Sequence, residues 1–330
     1  MPKISLIIPL YNAEKYLWPC LNSVASQTFQ DFEVLCVNDE STDRTEEIVK
    51  SFQEHDHRFR LINQKNEGCS VARNHGIKEA KAPYIALLDQ DDMLHPQALE
   101  VLYYLIQKGN YDVAEFTNKT VPDNFVLQNP PSYHLENIKY KTYQNPFNFY
   151  FKNKRGGSVL VWNRLYKKDA IAGIEFPPGI QPAEDTIFSL KVMFHTMSLI
   201  HTDTQLLYYR DSSTSVMNRG ITDKYIKSHA EAGKVLSDYF LKSPRVKNKK
   251  EKDILQRYIT RFIFKSVISQ PLRRLNNPQT RETSLAKARE YAIQLYQEKA
   301  LQPRLLGVGK NIACHLFFKG YDKLAKVFLR

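Results

Sequence analysis

Apolar runs and helical periodicities alternate through the first 120 residues. KISLIIPL (3–10) is continuous and rich in β-branched side chains, as a strand buried on both faces should be. NAEKYLWPCLNSVASQ (12–27) then places its apolar residues at helical spacing. The alternation repeats through strand DFEVLCVND (31–39), helix STDRTEEIVKSFQEH (41–55), strand RFRLINQ (58–64), helix SVARNHGIKEA (70–80) and strand YIALL (84–88). Ser41, Thr42 or Asp43 can cap the second helix, and Glu46 and Glu47 suit its positive end. Pro96 suits a first helical turn; ALEVLYYLIQK (98–108) then runs to Gly109, and YDVAEFT (111–117) begins a fifth strand. This rhythm predicts an α/β fold, a Rossmann-like and mostly parallel sheet flanked by helices.

From about residue 221 the alternation gives way to helical patterns. LKSPRVKNKKEKD (241–253) is a basic linker or helix start, and QRYITRFIFKSVIS (256–269) and LAKAREYAIQLYQEKA (285–300) are helical. The expected organisation is an α/β domain over 1–220, in two halves (1–120 and 121–220), followed by a helical basic extension over 221–330. The closing stretch, GKNIACHLFFKGYDKLAKVFLR (309–330), reads as a basic amphipathic helix able either to rest on anionic lipid or to pack against the rest of the chain.

Composition changes this picture in one respect. A hydrophobic content of 42% and a charged content of 25% are ordinary for a globular chain of 330 residues, but the net charge of +12 is not. It points to an anionic partner: nucleic acid, an anionic membrane or a phosphorylated substrate. Cys20, Cys36, Cys69 and Cys314 show no metal-ligand spacing and read as reduced thiols of a cytoplasmic protein. MPKISLIIPLYN lacks the parts of a secretory signal, and no run reaches the roughly 18 apolar residues that span a bilayer.

Ligands of such sheets bind at the carboxyl ends of the strands. The residues gathered there are Pro9, Tyr11 and Asn12, then Asn38 and Asp39, Asn66 and Gly68, and Asp89 and Asp91 in YIALLDQDDMLHP (84–96), most of them polar. Two carboxylates about 4 Å apart repel by roughly 1 kcal/mol in water and more near a low-dielectric surface, so a cation is expected among Asp89, Asp91 and Asp92. Residues 89 and 91 face the same side of an extended backbone, which suits Mn²⁺ or Mg²⁺ completed by substrate phosphates. The glycine patterns GxGxxG and GxxxxGK are absent, so a nucleotide's phosphates are handled in another way.

The segments IIPLYNAEKYL, VNDESTDRTEEIV, NEGCSVARNHGI and YIALLDQDDMLHP, in that order, resemble the family 2 inverting glycosyltransferases of GT-A fold. The likeness is detailed over about 1–120 and weaker to about 215. It implies that Pro9, Tyr11 and Asn12 line a nucleobase pocket and that Asp39 bonds the uracil of a UDP-sugar. Asn66, Gly68, Arg73 and Asn74 would shape the ribose and sugar side. Asp89 and Asp91 would be the family's DxD pair, with Asp91 the metal ligand and Asp89 nearer the ribose or sugar. Where the family has glycine in NDGSTD, this chain has Glu40. IQPAEDTIFSLKVMF (180–194) resembles the family's ED segment, which makes Asp185 the base that deprotonates the acceptor, supported by Glu184, with Asp169 the second choice. LLYYRDSSTSV (206–216) resembles a segment that places Arg210 and Ser215 on the diphosphate. His195 and His201 are candidates for a further metal ligand, against an ordinary structural role. The aromatic run YQNPFNFYFKNK (143–154) is either an acceptor-side loop or packing under the sheet.

The implied activity is transfer of a hexose or N-acetylhexosamine from a UDP-sugar to a growing glycan of lipooligosaccharide, capsule or other lipid-linked type. The expected location is cytoplasmic, with the inner face of the cytoplasmic membrane as a docking surface. A nucleotidyltransferase is the nearest rival, but PLYNAEKYL lacks the glycine- and arginine-rich loop it needs. A nucleic-acid-binding protein is disfavoured because much of the basic excess lies at 224–330, outside any recognised module. A non-catalytic relative is disfavoured by the retained Asp39, Asp89, Asp91 and Glu184–Asp185.

Overall fold

The computed structural model describes residues 1–152, 158–211, 220–275 and 278–329. They fall into two compact units: one comprises the described residues within 1–147, 158–179 and 188–213, the other those within 148–157, 180–187 and 214–330. Two short upstream segments, 148–157 and 180–187, thus group with the C-terminal residues from 214 onward.

The first unit is built on a sheet that follows the expected rhythm in its N-terminal half. Strands β1 (Ile4–Leu10), β2 (Phe32–Asp39), β3 (Phe59–Gln64) and β4 (Tyr84–Leu87) lie in the order β3-β2-β1-β4, all parallel. Every residue of β1 is buried, which accounts for its unbroken apolar run. Helices α1 (Glu14–Ala25), α2 (Thr45–His55) and α3 (Cys69–Glu79) connect these strands. Gly76 lets α3 lie close on the sheet: a Cβ there would stand 2.4 Å from Ile7 Cγ2 and 3.3 Å from Val37 Cγ2. Trp18 of α1 meets Phe52 of α2 at 4.7 Å between ring centroids, and Phe52 meets Phe59 of β3 at 5.4 Å.

Beyond β4 the sheet becomes mixed. The remaining strands are β5 (Met93–Leu94), β6 (Val113–Pro122), β7 (Lys141–Gln144), β8 (Arg164–Lys167) and β9 (Ser198–Asp211), with α4 (Ala98–Gln107) between β5 and β6. The expected fifth strand, β6, does not pair with β4. Antiparallel β8 stands between them, and the order continues β4-β8-β6-β9-β5, with β7 on β9. A buried ion pair holds this half: Arg164 of β8 donates from Nε to Glu115 Oε2 of β6 at 2.9 Å. Glu115 Oε1 lies 3.1 Å from His201 Nδ1 on β9, and His201 Nε2 lies 3.1 Å from Asp203 Oδ1. Both ring nitrogens of His201 are thereby engaged within the sheet, which removes it as a metal ligand.

The second unit is helical. After α5 (Glu184–His195), which begins in it, come α6 (Asp223–Leu241), α7 (Lys249–Ile263), α8 (Gln270–Arg274), α9 (Pro278–Gln297), α10 (Val308–Phe318) and α11 (Asp322–Val327). Gly233 allows α6 and α7 to cross closely, since a Cβ there would lie 2.5 Å from Ile263 Cγ1. Within the described part of the aromatic run, Phe147 meets Phe194 of α5 at 6.3 Å between ring centroids. Lys141–Gln144 is strand β7, and Tyr150 and Phe151 are buried in a π-turn over Asn148–Lys152. Phe151 meets Phe240 and Tyr258 edge-on, each at 5.3 Å, so it belongs to the helical core. The single helix expected near the end is two, broken at Gly320 with φ +81°.

Candidate functional site

The parallel register puts the ends of β1 to β4 along one edge of the sheet: Leu10 pairs with Asn38, Asp39 with Gln64, and Ile7 with Leu87. The four following loops therefore meet. Pro9 is still inside β1, buried and opposite Val37, while Tyr11 and Asn12 begin the first loop.

The first two loops interlock through the free N–H groups that begin helices. Asn12, Ala13 and Glu14 donate their backbone N–H to Ser41 Oγ (3.0 Å), Thr45 Oγ1 (2.7 Å) and Asp43 Oδ2 (3.0 Å). In return, Asn12 Oδ1 accepts from Thr42 N at 2.8 Å and Glu14 Oε2 from Arg44 N at 3.1 Å. Asn12 holds a φ of +48°, a left-handed conformation that asparagine tolerates better than most residues. Each loop thus satisfies the start of the other's helix. Of the residues read as caps of the second helix, Asp43 serves both, its Oδ1 also accepting from Thr45 N at 3.0 Å.

Asp39, only 3% exposed, fastens the third loop. Its Oδ1 accepts from Gln64 Nε2 at 2.8 Å and Glu67 N at 3.0 Å, and its Oδ2 from Gly68 N at 2.8 Å. Gly68 takes a φ of +89° and starts α3. A Cβ there would meet nothing within 4 Å, so backbone conformation rather than space is what calls for glycine. Glu40 also adopts a left-handed φ, +60°, and its Oε2 accepts from Asn66 N at 3.2 Å. The turn survives the loss of the family's glycine, and the new side chain gains a bond across the same edge.

The fourth loop carries the acids. Arg73, buried on α3, donates from Nη2 to Asp89 Oδ1 at 2.7 Å, and its guanidinium carbon lies 5.1 Å from the centre of the Phe176 ring. Asn74 uses both ends of its amide on Phe176, donating to its carbonyl and accepting from its N–H, each at 2.8 Å. It therefore positions Phe176, the ring Arg73 rests on. Burial, and then the charge of Asp89, push the Asp91 carboxyl up to about 6. Asp92 is 1% exposed; burial and then the charges of Asp91 and Asp89 push its carboxyl far up, and its Oδ1 accepts from Arg210 N at 2.9 Å. It is a structural tie to β9 rather than part of an open acidic face.

Arg210, expected on a diphosphate, is buried with its guanidinium turned to the backbone. Nε donates to Asp91 O at 3.0 Å, and Nη1 donates to Asp123 O and, at 3.4 Å, to Phe125 O. It braces the acidic loop from behind. Ser215 lies outside the described residues. Gln90, between the two DxD acids, escaped sequence reasoning: Tyr11 N donates to its Oε1 at 2.8 Å and its Nε2 donates to Tyr11 O at 3.2 Å. This reciprocal pair links the first loop to the fourth. Residues 89–92 form a turn closed by Asp92 N donating to Asp89 O at 3.1 Å, so the extended backbone that would set residues 89 and 91 on one side is not what the loop adopts.

Among the described residues no three His, Cys, Asp or Glu side chains group to hold a metal by themselves. The Asp89–Asp91 pair nevertheless suits a hard divalent cation whose remaining ligands come from a substrate, because half-buried Asp91 carries its carboxyl beside the like charge of Asp89.

The profile described as Glycosyl transferase family 2 matches residues 5–171, the stretch that holds all four loops. The chain belongs to this family. As a family 2 glycosyltransferase it is 32% identical over 250 residues to EpsH of Bacillus subtilis, a protein assigned as a glycosyltransferase, covering 71% of this chain and 67% of EpsH. It is 32% identical over 241 residues to the glycosyltransferase GlyA of Streptococcus pneumoniae, covering 70% of this chain but only 33% of GlyA. Among solved structures, S. aureus TarS in complex with UDP-GlcNAc shares the fold, with a TM-score of 0.73 at 19% identity over 99% of this chain and 90% of that one. The glycosyltransferase has a mixed α/β sheet flanked by helices and a helical C-terminal region, the GT-A arrangement. In the second unit, Glu184 is buried and turns its Oε2 back to accept from Ala183 N at 2.9 Å, and Asp185 is half-buried in the first turn of α5. His195 closes the same helix.

Proposed function

We propose that this glycosyltransferase is a UDP-sugar-dependent inverting enzyme that adds a hexose or N-acetylhexosamine to a hydroxyl of a growing glycan. The observation that carries this reading is the convergence of four loops on the Asp89–Asp91 pair, with Arg73 on Asp89 and a half-buried Asp91. The likeness to TarS, solved with UDP-GlcNAc, supports a UDP-sugar donor. The similarity to a mannosyltransferase solved with GDP-Man and Mn²⁺, at a TM-score of 0.53, supports a divalent metal.

In this reading Pro9, Tyr11 and Asn12 line the nucleobase side. Asp39 fixes the loop over Asn66 and Gly68 and reaches the uracil with the acceptor capacity its three internal bonds leave. Asp91, helped by Asp89, would hold Mn²⁺ or Mg²⁺, which supplies positive charge against that developing on the departing diphosphate. Arg73 orients Asp89 through its hydrogen bond, and Asn74 and Arg210 hold these groups in place. The acceptor oxygen forms its bond to the anomeric carbon as the bond from that carbon to the UDP oxygen breaks; UDP leaves with the electron pair, and Asp185 takes the acceptor proton. Glu184 supports the position of Asp185. The domains divide this work, 1–220 catalysing and 221–330 bringing the enzyme to the inner face of the cytoplasmic membrane, where a lipid-linked acceptor of lipooligosaccharide or capsule type would lie.

The test is UDP release from a panel of UDP-sugars with Mn²⁺, comparing wild type with Asp185→Asn. A fall of about 100-fold or more in turnover, with UDP affinity retained, is expected for loss of a general base. Turnover unchanged in Asp185→Asn would remove the base assignment. Pyrophosphate as the released product would replace the reading with a nucleotidyltransferase.

A further inference from the structure

The last two helices expose apolar side chains where a water-facing surface would carry polar ones. On α10, Val308 (78% exposed) and Ile312 are one turn apart; on α11, Leu324 (55%), Val327 (58%) and Phe328 share a face at spacings of three and four. The two groups adjoin, because a Cβ on Gly309 would lie 3.6 Å from Phe328 O. Buried Ala313, Cys314, Phe317 and Ala325 occupy the other sides of both helices, so the packing of this corner is already complete without the exposed residues.

The charge around this patch has one sign. Lys310, Lys319, Lys323 and Lys326 are exposed at or beside it. The only acid between residues 301 and 330 is Asp322, which Arg289 holds at 2.9 Å. Among the described residues no helix is long and apolar enough to cross a membrane, so attachment here would be to a surface.

We propose that the exposed face of α10 and α11 is a docking surface for an anionic lipid bilayer. Leu324, Val327, Phe328, Val308 and Ile312 enter the boundary between headgroups and acyl chains, and the lysines extend their ammonium groups to the lipid phosphates. A second copy of the chain would instead set these lysines against lysines. The inference deepens the reading of a membrane-borne acceptor, yet it is tested without donor or acceptor, so either can fail alone.

The experiment is flotation of the full chain with vesicles of phosphatidylcholine alone and of an equal mixture of phosphatidylcholine and phosphatidylserine. Binding is expected only to the anionic vesicles and should weaken as salt rises. Lys323→Gln with Lys326→Gln should weaken binding by about fivefold per lysine, and Leu324→Ser with Val327→Ser by on the order of tenfold or more. All four side chains are exposed, and retained UDP binding and circular dichroism would report an intact fold. No binding to anionic vesicles, equal binding to neutral ones, or binding undisturbed in both variants would overturn the proposal. So would a wild-type dimer that Leu324→Ser with Val327→Ser converts to monomer, since the face would then join two copies.

Discussion

Replacing Asp39 by asparagine tests whether this residue is a clasp as well as a nucleobase ligand. Its carboxylate accepts three hydrogen bonds, two of them from the backbone of Glu67 and Gly68. The asparagine oxygen can keep the Gln64 and Glu67 bonds, but its NH₂ then faces the Gly68 N–H, donor against donor. Leaving that N–H without an acceptor costs about 1–3 kcal/mol, and losing the charge assistance of the other two bonds adds about 1 kcal/mol. The expected destabilisation is about 2–4 kcal/mol in a urea titration followed by circular dichroism. Amide hydrogen exchange should locate it, with Glu67 and Gly68 exchanging much faster and the core of β1 keeping its protection relative to global unfolding. Lower UDP affinity with an unchanged urea midpoint and unchanged exchange at Gly68 would refute the clasp and leave only a direct contact with the base.

Two further substitutions probe how the rest of the framework is held. Glu40→Ala keeps a left-handed backbone on a residue with a Cβ and loses the bond to Asn66, so it should cost about 1 kcal/mol. Glu40→Gly relieves strain of about 1 kcal/mol and should lie closer to wild type; urea midpoints of the pair in the reverse order would contradict this. His201 is raised above the ordinary histidine range chiefly by its bond to Glu115, against burial, with help from Asp203. Across it are Arg164, which shares Glu115, and Lys141, which pairs with Asp203 at 3.5 Å. A raised folded-state value means that the stabilisation is complete below the ordinary histidine value and is lost as pH rises through the higher folded one. The stability advantage of wild type over His201→Asn should therefore shrink as pH rises above the ordinary histidine value; an advantage that grows with pH would contradict the charge assignment.

The N-terminal half of the fold is legible because β1, β2 and β4 are almost wholly buried and read as apolar runs, while β3, only partly buried, falls between two helical patterns. Runs such as ISLIIPL and FEVLCVND admit one reading, and parallel crossovers then put their ends together, which is why Asp39, Gly68 and Asp89 could be grouped before any coordinates. The second half was not legible in this way. β8 is four residues, RLYK, in a polar setting, and nothing local announces that it pairs with β4 from a distance of 80 residues. Side-chain roles were legible by type but not by direction. The resemblance puts Arg210 on the diphosphate, yet the carbonyls of Asp91, Asp123 and Phe125 take its N–H groups. Asn74 was read as a sugar-side residue, yet the backbone of Phe176 takes both ends of its amide. Gln90 was passed over because an amide between two acids carries no signal until its partner, the Tyr11 backbone, is known.

The most direct test of the central claim is calorimetric titration of UDP into the full chain, with Mn²⁺ and then with EDTA, for wild type and Asp91→Ala. The site described here predicts UDP binding that requires the metal and falls by at least about tenfold in Asp91→Ala, a loss of about 1.4 kcal/mol. UDP binding that is equally tight with EDTA, or that Asp91→Ala leaves unchanged, would contradict a cation held by these acids for a nucleoside diphosphate.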